Sequence, residues 1–325
     1  MDILLQIIPT AFFFAAPLIF TALGGVISER SGIINIGLEG LMVMGAFVGI
    51  VINLQMYPWL SEVLPDETAR SLMPWIAILI AAIVSALFAL LHAVASVTFN
   101  ANQVVSGVAI NFLAVGVSLF MIKQIYGKGQ TDFVSAPFFK TDIPLLSDIP
   151  IIGPLLFKQT FLTNWLAVIL AILVWYIIFK TPFGLRLRSV GEHPTAADSL
   201  GIKVNRMRYI AVGLSGFLGG LGGSVFALTV AQNFSHGTIS GQGFMALAAV
   251  VFGKWHPLGA LGAAIFFGIA QSLSVVGAGI PYLSSIPSVY LQILPYVLTI
   301  LALAGFIGRA EAPKALGTPF TKGSR

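Results

Sequence analysis

The sequence predicts an all-α polytopic membrane protein, and three observations carry the prediction. Charged residues make up 9% of the 325 residues and hydrophobic ones 57%, whereas soluble domains carry roughly 25% charged residues. The apolar residues fall in runs near the length, roughly 20 residues, that a helix needs to cross a bilayer. The polar stretches between them are unequal in sign. Six of the seventeen Lys and Arg residues lie in the island 180–208 (Lys180, Arg186, Arg188, Lys203, Arg206, Arg208), opposed only by Glu192 and Asp198, and short basic loops mark the cytoplasmic side.

Nine apolar segments run near 3–27, 32–54, 74–97, 104–122, 161–179, 209–230, 240–253, 257–279 and 287–306. The first follows Met1-Asp2-Ile3, which lacks the positive n-region of a signal peptide, so it is expected to stay as a span. The second carries Asn35, Gly37, Glu39 and Gly40 and reads as a broken helix. The third and fourth read as plain spans. The connection 123–160, near charge balance and rich in Pro (Pro137, Pro144, Pro150, Pro154), fits a docking surface or a simple connector. The sixth span contains the run Gly216–Gly223, a surface for close helix packing. Segment 240–253 is short for a full crossing, which places a second broken helix near 231–253. The expected count is eight to ten transmembrane helices in a single domain, 1–325.

With 180–208 inside, Arg30, Lys254 and the tail 308–325 fall inside too. The connection 55–73, with Glu62, Asp66 and Glu67 against Arg70, falls outside. Gly40–Ala46 can be laid on Gly243–Ala249, each preceded by a Gly-rich polar stretch and one full span. The two preceding spans run in opposite directions, as two inverted repeats of a transporter would.

Three motifs bear on chemistry. Within the basic island, Pro194-Thr195-Ala196-Ala197-Asp198-Ser199-Leu200-Gly201 reads as a two-turn helix, because Pro suits the first helical position and Gly the position after the last. Glu39 lies inside an apolar segment, where a carboxylate is costly unless paired or wet. It either caps a half-helix or meets a substrate. The amides Asn35, Asn102, Gln103, Asn111, Gln242 and Gln271 either bond helix to helix or line a polar pathway. Ser215 in Gly213-Leu214-Ser215-Gly216 and His256 in His256-Pro257-Leu258-Gly259 have the composition of an intramembrane serine protease pair, a remote alternative that requires hydrogen-bond contact between them.

The chain has no Cys, which excludes disulfides and thiolate chemistry. It has no His-Glu-x-x-His metal motif and no phosphate-binding loop, so it lacks that route to ATP hydrolysis. His92 and His236 stand alone. The pI near 9.5 reflects loop bias, since no aromatic-interleaved basic patch points to nucleic acid.

Two stretches, Gly32–Gly40 (GIINIGLEG) and Gly184–Ile202 (GLRLRSVGEHPTAADSLGI), resemble the permease subunits of bacterial ABC importers, in the group with ribose and branched-chain amino-acid permeases. The likeness is strongest to permeases of nucleoside importers of the basic-membrane-protein type. Ala196-Ala197-x-x-x-Gly201 is similar to the EAA-type signature that engages the ATPase, with Thr195 where that signature has Glu.

The resemblance implies a transport subunit that is not itself an enzyme, translocating nucleosides across the bacterial inner membrane with its C-terminus cytoplasmic. The alternatives are a monosaccharide such as ribose or a branched-chain amino acid. It implies ATPase coupling through Arg188, Glu192, Pro194, Ala196, Ala197 and Gly201, and a substrate pathway with Asn35, Glu39, Gln103, Asn111 and Gln242. Lipid contact and topology are the alternative role of the flanking cations. The implied partners are a cytoplasmic ATPase that binds the ATP and Mg, an extracytoplasmic binding protein and a second, different permease subunit. A secondary transporter would instead need paired intramembrane charges, for which Glu39 is the sequence's candidate.

Overall fold

In the computed structural model, residues 2–279 and 312–322 are described, together with Tyr290, Leu291, Ile293, Leu294, Tyr296, Val297 and Ile300. The expected span 287–306 therefore lies largely outside the described residues. Those residues form ten α-helices: α1 (Asp2–Arg30), α2 (Leu38–Val63), α3 (Asp66–Ala93), α4 (Gln103–Tyr126), α5 (Leu162–Lys180), α6 (Pro182–Glu192), α7 (Pro194–Ser199), α8 (Val204–Phe226), α9 (Gln242–Phe252) and α10 (Pro257–Val276). Short π-turns extend α3 over Val94–Thr98 and α8 over Ala227–Ala231. Seven of the helices (α1 to α5, α8 and α10) are long and apolar enough to cross a membrane, and α9 is a shorter apolar helix. The chain is a multi-pass membrane protein.

Two boundaries differ from expectation. The first break lies at 31–37, ahead of an unbroken α2 that passes through Pro58 to Val63. The connection expected at 55–73 shrinks to Leu64 and Pro65, since α3 begins at Asp66. Hydropathy marks where a helix leaves hydrocarbon, whereas the backbone hydrogen bonds carry it on into water. Both protruding ends are tied, with the Tyr57 hydroxyl 2.6 Å and Arg70 Nε 2.9 Å from the Asp66 carboxylate.

α8 is the central post. Its glycines let three helices approach its backbone on different faces: Gly216 and Gly220 meet Ser85 and Ala89 of α3, Gly219 and Gly223 meet Leu41 and Met42 of α2, and Gly222 meets Pro17 and Thr21 of α1. A Cβ at Gly45 would fall on the backbone of Gly220, and one at Gly220 on Ser85 of α3, so neither position admits a side chain. Most of the span residues of α1 and α8 are buried, whereas only a third of those of α4 and α5 are.

The packing repeats with swapped partners. In the first unit α1 leads through a break to α2 and α3; in the second α8 leads through a break to α9 and α10. α2 and α3 pack on α8, and α9 and α10 pack on α1. Residues 17–24 of α1 run against 222–215 of α8 in antiparallel sense. Each interrupted unit thus uses the other's unbroken span as its main support.

One end of the bundle gathers Arg30, 180–208, Lys254 and 312–322. There Arg30 Nε donates to the Trp255 carbonyl (2.8 Å), and the Ala315 and Gly317 amides donate to the Gly191 and Gly32 carbonyls (2.9 and 3.0 Å). The other end joins Asn53, 127–161 and 232–241: Asn53 Nδ2 donates to the Ala136 carbonyl (2.7 Å) and the Thr131 amide to that of Phe234 (2.9 Å).

Candidate functional site

The two breaks meet at Glu39. It lies in the first turn of α2, whose N-cap is Gly37. Its carboxylate also accepts the amides of Gly241 (2.6 Å) and Gly243 (2.7 Å) at the start of α9. Gly241 holds φ +88°, the left-handed region open to glycine, which turns the chain sharply into α9. One side chain therefore sits at the positive ends of two helices, the full span α2 and the short α9, a place that favours a negative group. It is partly exposed, as is Gln242, and Phe244 beside them is 49% exposed.

The other candidate amides are built around the first break. Gln103 Oε1 accepts the Ile34 amide (2.7 Å), Asn111 Nδ2 donates to the Ile36 carbonyl (3.1 Å), and Asn111 Oδ1 accepts the Gly40 amide (2.7 Å). His92 Nε2 lies 3.0 Å from the Ile34 carbonyl and Nδ1 2.9 Å from Ser106 Oγ. Asn35 donates to Ser215 Oγ (2.8 Å). Non-helical backbone at membrane depth requires such partners. Gln242 accepts from Gln271 (3.1 Å), bonding α9 to α10, and Asn102 caps α4 through the amides of Val104 and Val105. The buried atoms left without a partner here are Asn35 Oδ1 and Gln103 Nε2.

Ser215 and His256 are not paired. Ser215 is fully buried against Asn35, while the His256 ring lies tilted against that of Phe179, 4.8 Å away, at the basic end. The protease alternative loses its geometry.

At the basic end, α7 closes as expected. Gly201 holds φ +83°, its amide donates to the Asp198 carbonyl (2.9 Å), and the Ile202 amide to that of Ala197 (3.0 Å), the paired bonds of a Schellman turn. Thr195, Ala196, Ser199 and Gly201 are exposed and Leu200 is 82% exposed, with Pro194 partly covered. Ala197 is 2% exposed, so it seats α7 on the bundle and is not on the face open to a partner. Arg188 and Glu192 also turn inward. The Arg188 guanidinium lies 4.9 Å from the Phe179 ring, which Arg30 approaches to 5.7 Å, and the Glu192 carboxylate accepts the Lys314 amide (3.4 Å).

Two buried groups were not singled out by the sequence reading. Glu29 is 3% exposed and accepts the Trp255 indole N–H, while its neighbour Arg30 bonds the Trp255 carbonyl. Arg208, 1% exposed, donates from Nη1 to the Thr318 carbonyl (3.1 Å) beneath the tail. In sequence it is indistinguishable from the other island cations. Among the described residues no cluster of His, Asp and Glu could hold a metal.

Residues 7–303 match the family model described as branched-chain amino acid transport system / permease component. The guanosine ABC transporter permease NupQ of Bacillus subtilis is 58% identical over all of this chain and 99% of its own. The nucleoside ABC transporter permease NupC of Lactococcus lactis is 48% identical over 97% of this chain and 96% of its own. A second nucleoside permease of that Lactococcus strain, NupB, is 26% identical over 92% of this chain and 79% of its own. No solved structure matches.

Proposed function

The chain belongs to the family of permease components of branched-chain amino acid transport systems, and we propose that it is the membrane-spanning subunit of an ATP-driven nucleoside importer. The observation that carries the cargo class is 58% identity, end to end, to a guanosine permease, with 48% to a nucleoside permease. A monosaccharide is the second reading, since a nucleoside carries a sugar.

In this reading α7 is the knob gripped by a separate cytoplasmic ATPase, which binds the ATP and Mg. Ala196, Leu200 and Gly201 form its outer face, and Ala197, Arg188, Glu192 and Pro194 hold it to the bundle. Glu192 and Gly191 bond the tail, and the tail bonds Gly32 at the foot of the first break. A displacement of α7 thereby bears on the stretch that ends at Glu39. Glu39 and Gln242 face the pathway, with Asn35, Gln103 and Asn111 setting their position. Delivery belongs to an extracytoplasmic binding protein. A second permease completes the channel, and the presence of two unlike nucleoside permeases in one Lactococcus strain supports a heterodimer. The protein resides in the bacterial inner membrane with its tail in the cytoplasm.

Uptake of radiolabelled guanosine, uridine and ribose in cells with and without this gene, the partner genes present, tests the reading. Loss of nucleoside uptake alone is expected. Loss of ribose uptake alone moves the chain to the sugar branch, and no loss of any overturns the importer assignment for these cargoes.

A further inference from the structure

A groove of about 490 Å³ opens between α6, the turn that closes α7 (200–202) and the start of α8; Phe183, Arg186, Lys203, Arg206, Met207 and Ile210 line it beside Leu200 and Gly201, so it borders the outer face of α7. Its lining divides by chemistry. Arg186 from α6 and Lys203 and Arg206 from the head of α8 bring three cations to it; Phe183, Met207 and Ile210 add apolar surface.

Among the described residues none of these three cations forms an ion pair: the pairs are Arg70–Asp66 and Lys128–Asp132, both at the opposite end of the bundle. Lys203 and Arg206 also sit at the N-terminus of α8, which has no side-chain cap. Positive side chains at the positive end of a helix repel it, and that end is where an anion binds.

The apolar part does not stop at the groove. Arg206, Ile210 and Leu214 follow at four-residue spacing along one face of α8, and Ile210 and Leu214 are 37% and 39% exposed. They stand about 9 and 15 Å along the helix from Val204, inside the apolar span. A soluble ATPase does not reach that depth, and a nucleoside carries no negative charge for the cations. An anionic head joined to an aliphatic body, lying across the boundary of the bilayer, matches both halves.

We propose that this groove binds one anionic phospholipid, its phosphate held by Arg186, Lys203 and Arg206 and an acyl chain laid along Ile210 and Leu214. The lipid would neutralise the head of α8 and fasten α6 to it, at the base of α7. Each cation near an anionic membrane lipid contributes roughly a fivefold factor, so removal of three is expected to weaken binding about a hundredfold.

The test is retention of dioleoylphosphatidylglycerol by the purified full chain, counted by native mass spectrometry with an equal amount of dioleoylphosphatidylcholine present. One phosphatidylglycerol is expected to stay in preference to phosphatidylcholine. Arg206→Gln is expected to weaken it roughly fivefold, Leu214→Gln to weaken it with charge unchanged, and the triple variant Arg186→Gln/Lys203→Gln/Arg206→Gln to abolish the preference. Lys180→Gln, whose cation lies over the Trp175 ring, is expected to leave it intact. Equal retention of the two lipids overturns the proposal, as does full retention in Arg206→Gln and the triple variant. Displacement of the lipid by inorganic phosphate alone would reduce the groove to a simple anion site. A triple variant that keeps its lipid but loses the co-purifying ATPase would assign the groove to that subunit.

Discussion

Glu39→Ala tests whether the carboxylate holds the two breaks together. The substitution removes the acceptor of the Gly241 and Gly243 amides, at 2.6 and 2.7 Å. A hydrogen bond to a charged group contributes about 1.5–3 kcal/mol. With the two bonds sharing one carboxylate and not fully additive, the start of α9 should lose about 3–5 kcal/mol against local opening. At tenfold per 1.4 kcal/mol, that is roughly a hundred- to a few-thousandfold fall in hydrogen-exchange protection over 241–246. Glu39→Gln should lose less, because one oxygen still accepts while the new NH2 faces the other amide. Exchange by mass spectrometry on the purified chain reads both, with the peptides of α5 as internal reference. If Glu39→Ala leaves protection at 241–246 within a factor of ten of the parent, the carboxylate is not the tie that the geometry indicates.

Three further outcomes are expected. Gly201 has open space around it but a φ of +83°, so Gly201→Trp should fold at a cost of about 1–2 kcal/mol and abolish ATP-driven uptake by blocking the outer face of α7. Undiminished uptake would move the docking site elsewhere. Gly45→Val places a branched side chain on the Gly220 backbone and should sharply lower the melting temperature in detergent, whereas Gly262→Ala, with nothing within 4 Å, should be neutral or stabilising. Burial and the Arg30 charge hold the His256 pKa below its usual 6.5, so the folded chain binds fewer protons there than the unfolded one. That contribution to stability is complete above pH 6.5 and is lost as pH falls through the folded value. His256→Asn should therefore flatten the decline in melting temperature measured from pH 7.5 to 5.

Much of this architecture could be read from residue order because the bilayer imposes it. Long apolar runs become spans, and Pro194 and Gly201 bracket a helix since one fits its first turn and the other its left-handed end. The first break was visible as polar residues in an apolar run. Its position was not, because Ile33, Ile34 and Ile36 are as apolar in an extended stretch as in a helix. The amides were visible as a group but not their bonds: Asn111 reaches Gly40 and Ile36 across 71 and 75 positions, and a single sequence carries no record of such pairing. Ala197 shows the same limit at short range. In a six-residue helix of small residues, only the packing of α6 and α8 decides which alanine faces inward.

The polar residues at membrane depth share one physical task. An unpaired backbone group there costs several kcal/mol, and the first break presents Ile34 N–H and C=O, Ile36 C=O and Gly40 N–H. His92 on α3 and Gln103 and Asn111 on α4 answer all four. The second break presents the Gly241 and Gly243 amides, and Glu39 of the first unit answers both. The support is therefore not symmetric although the helix packing is: the first break leans on its own following helices, whereas the start of α9 leans on the first break through Glu39 and the stretch before it on Thr131 and Val134. A shift of the α2 end moves Glu39 and takes the start of α9 with it, whereas a shift of α9 leaves the bonds to α3 and α4 in place. The stretch 31–40, which the tail also touches at Gly32, thus carries the carboxylate on which the start of α9 rests.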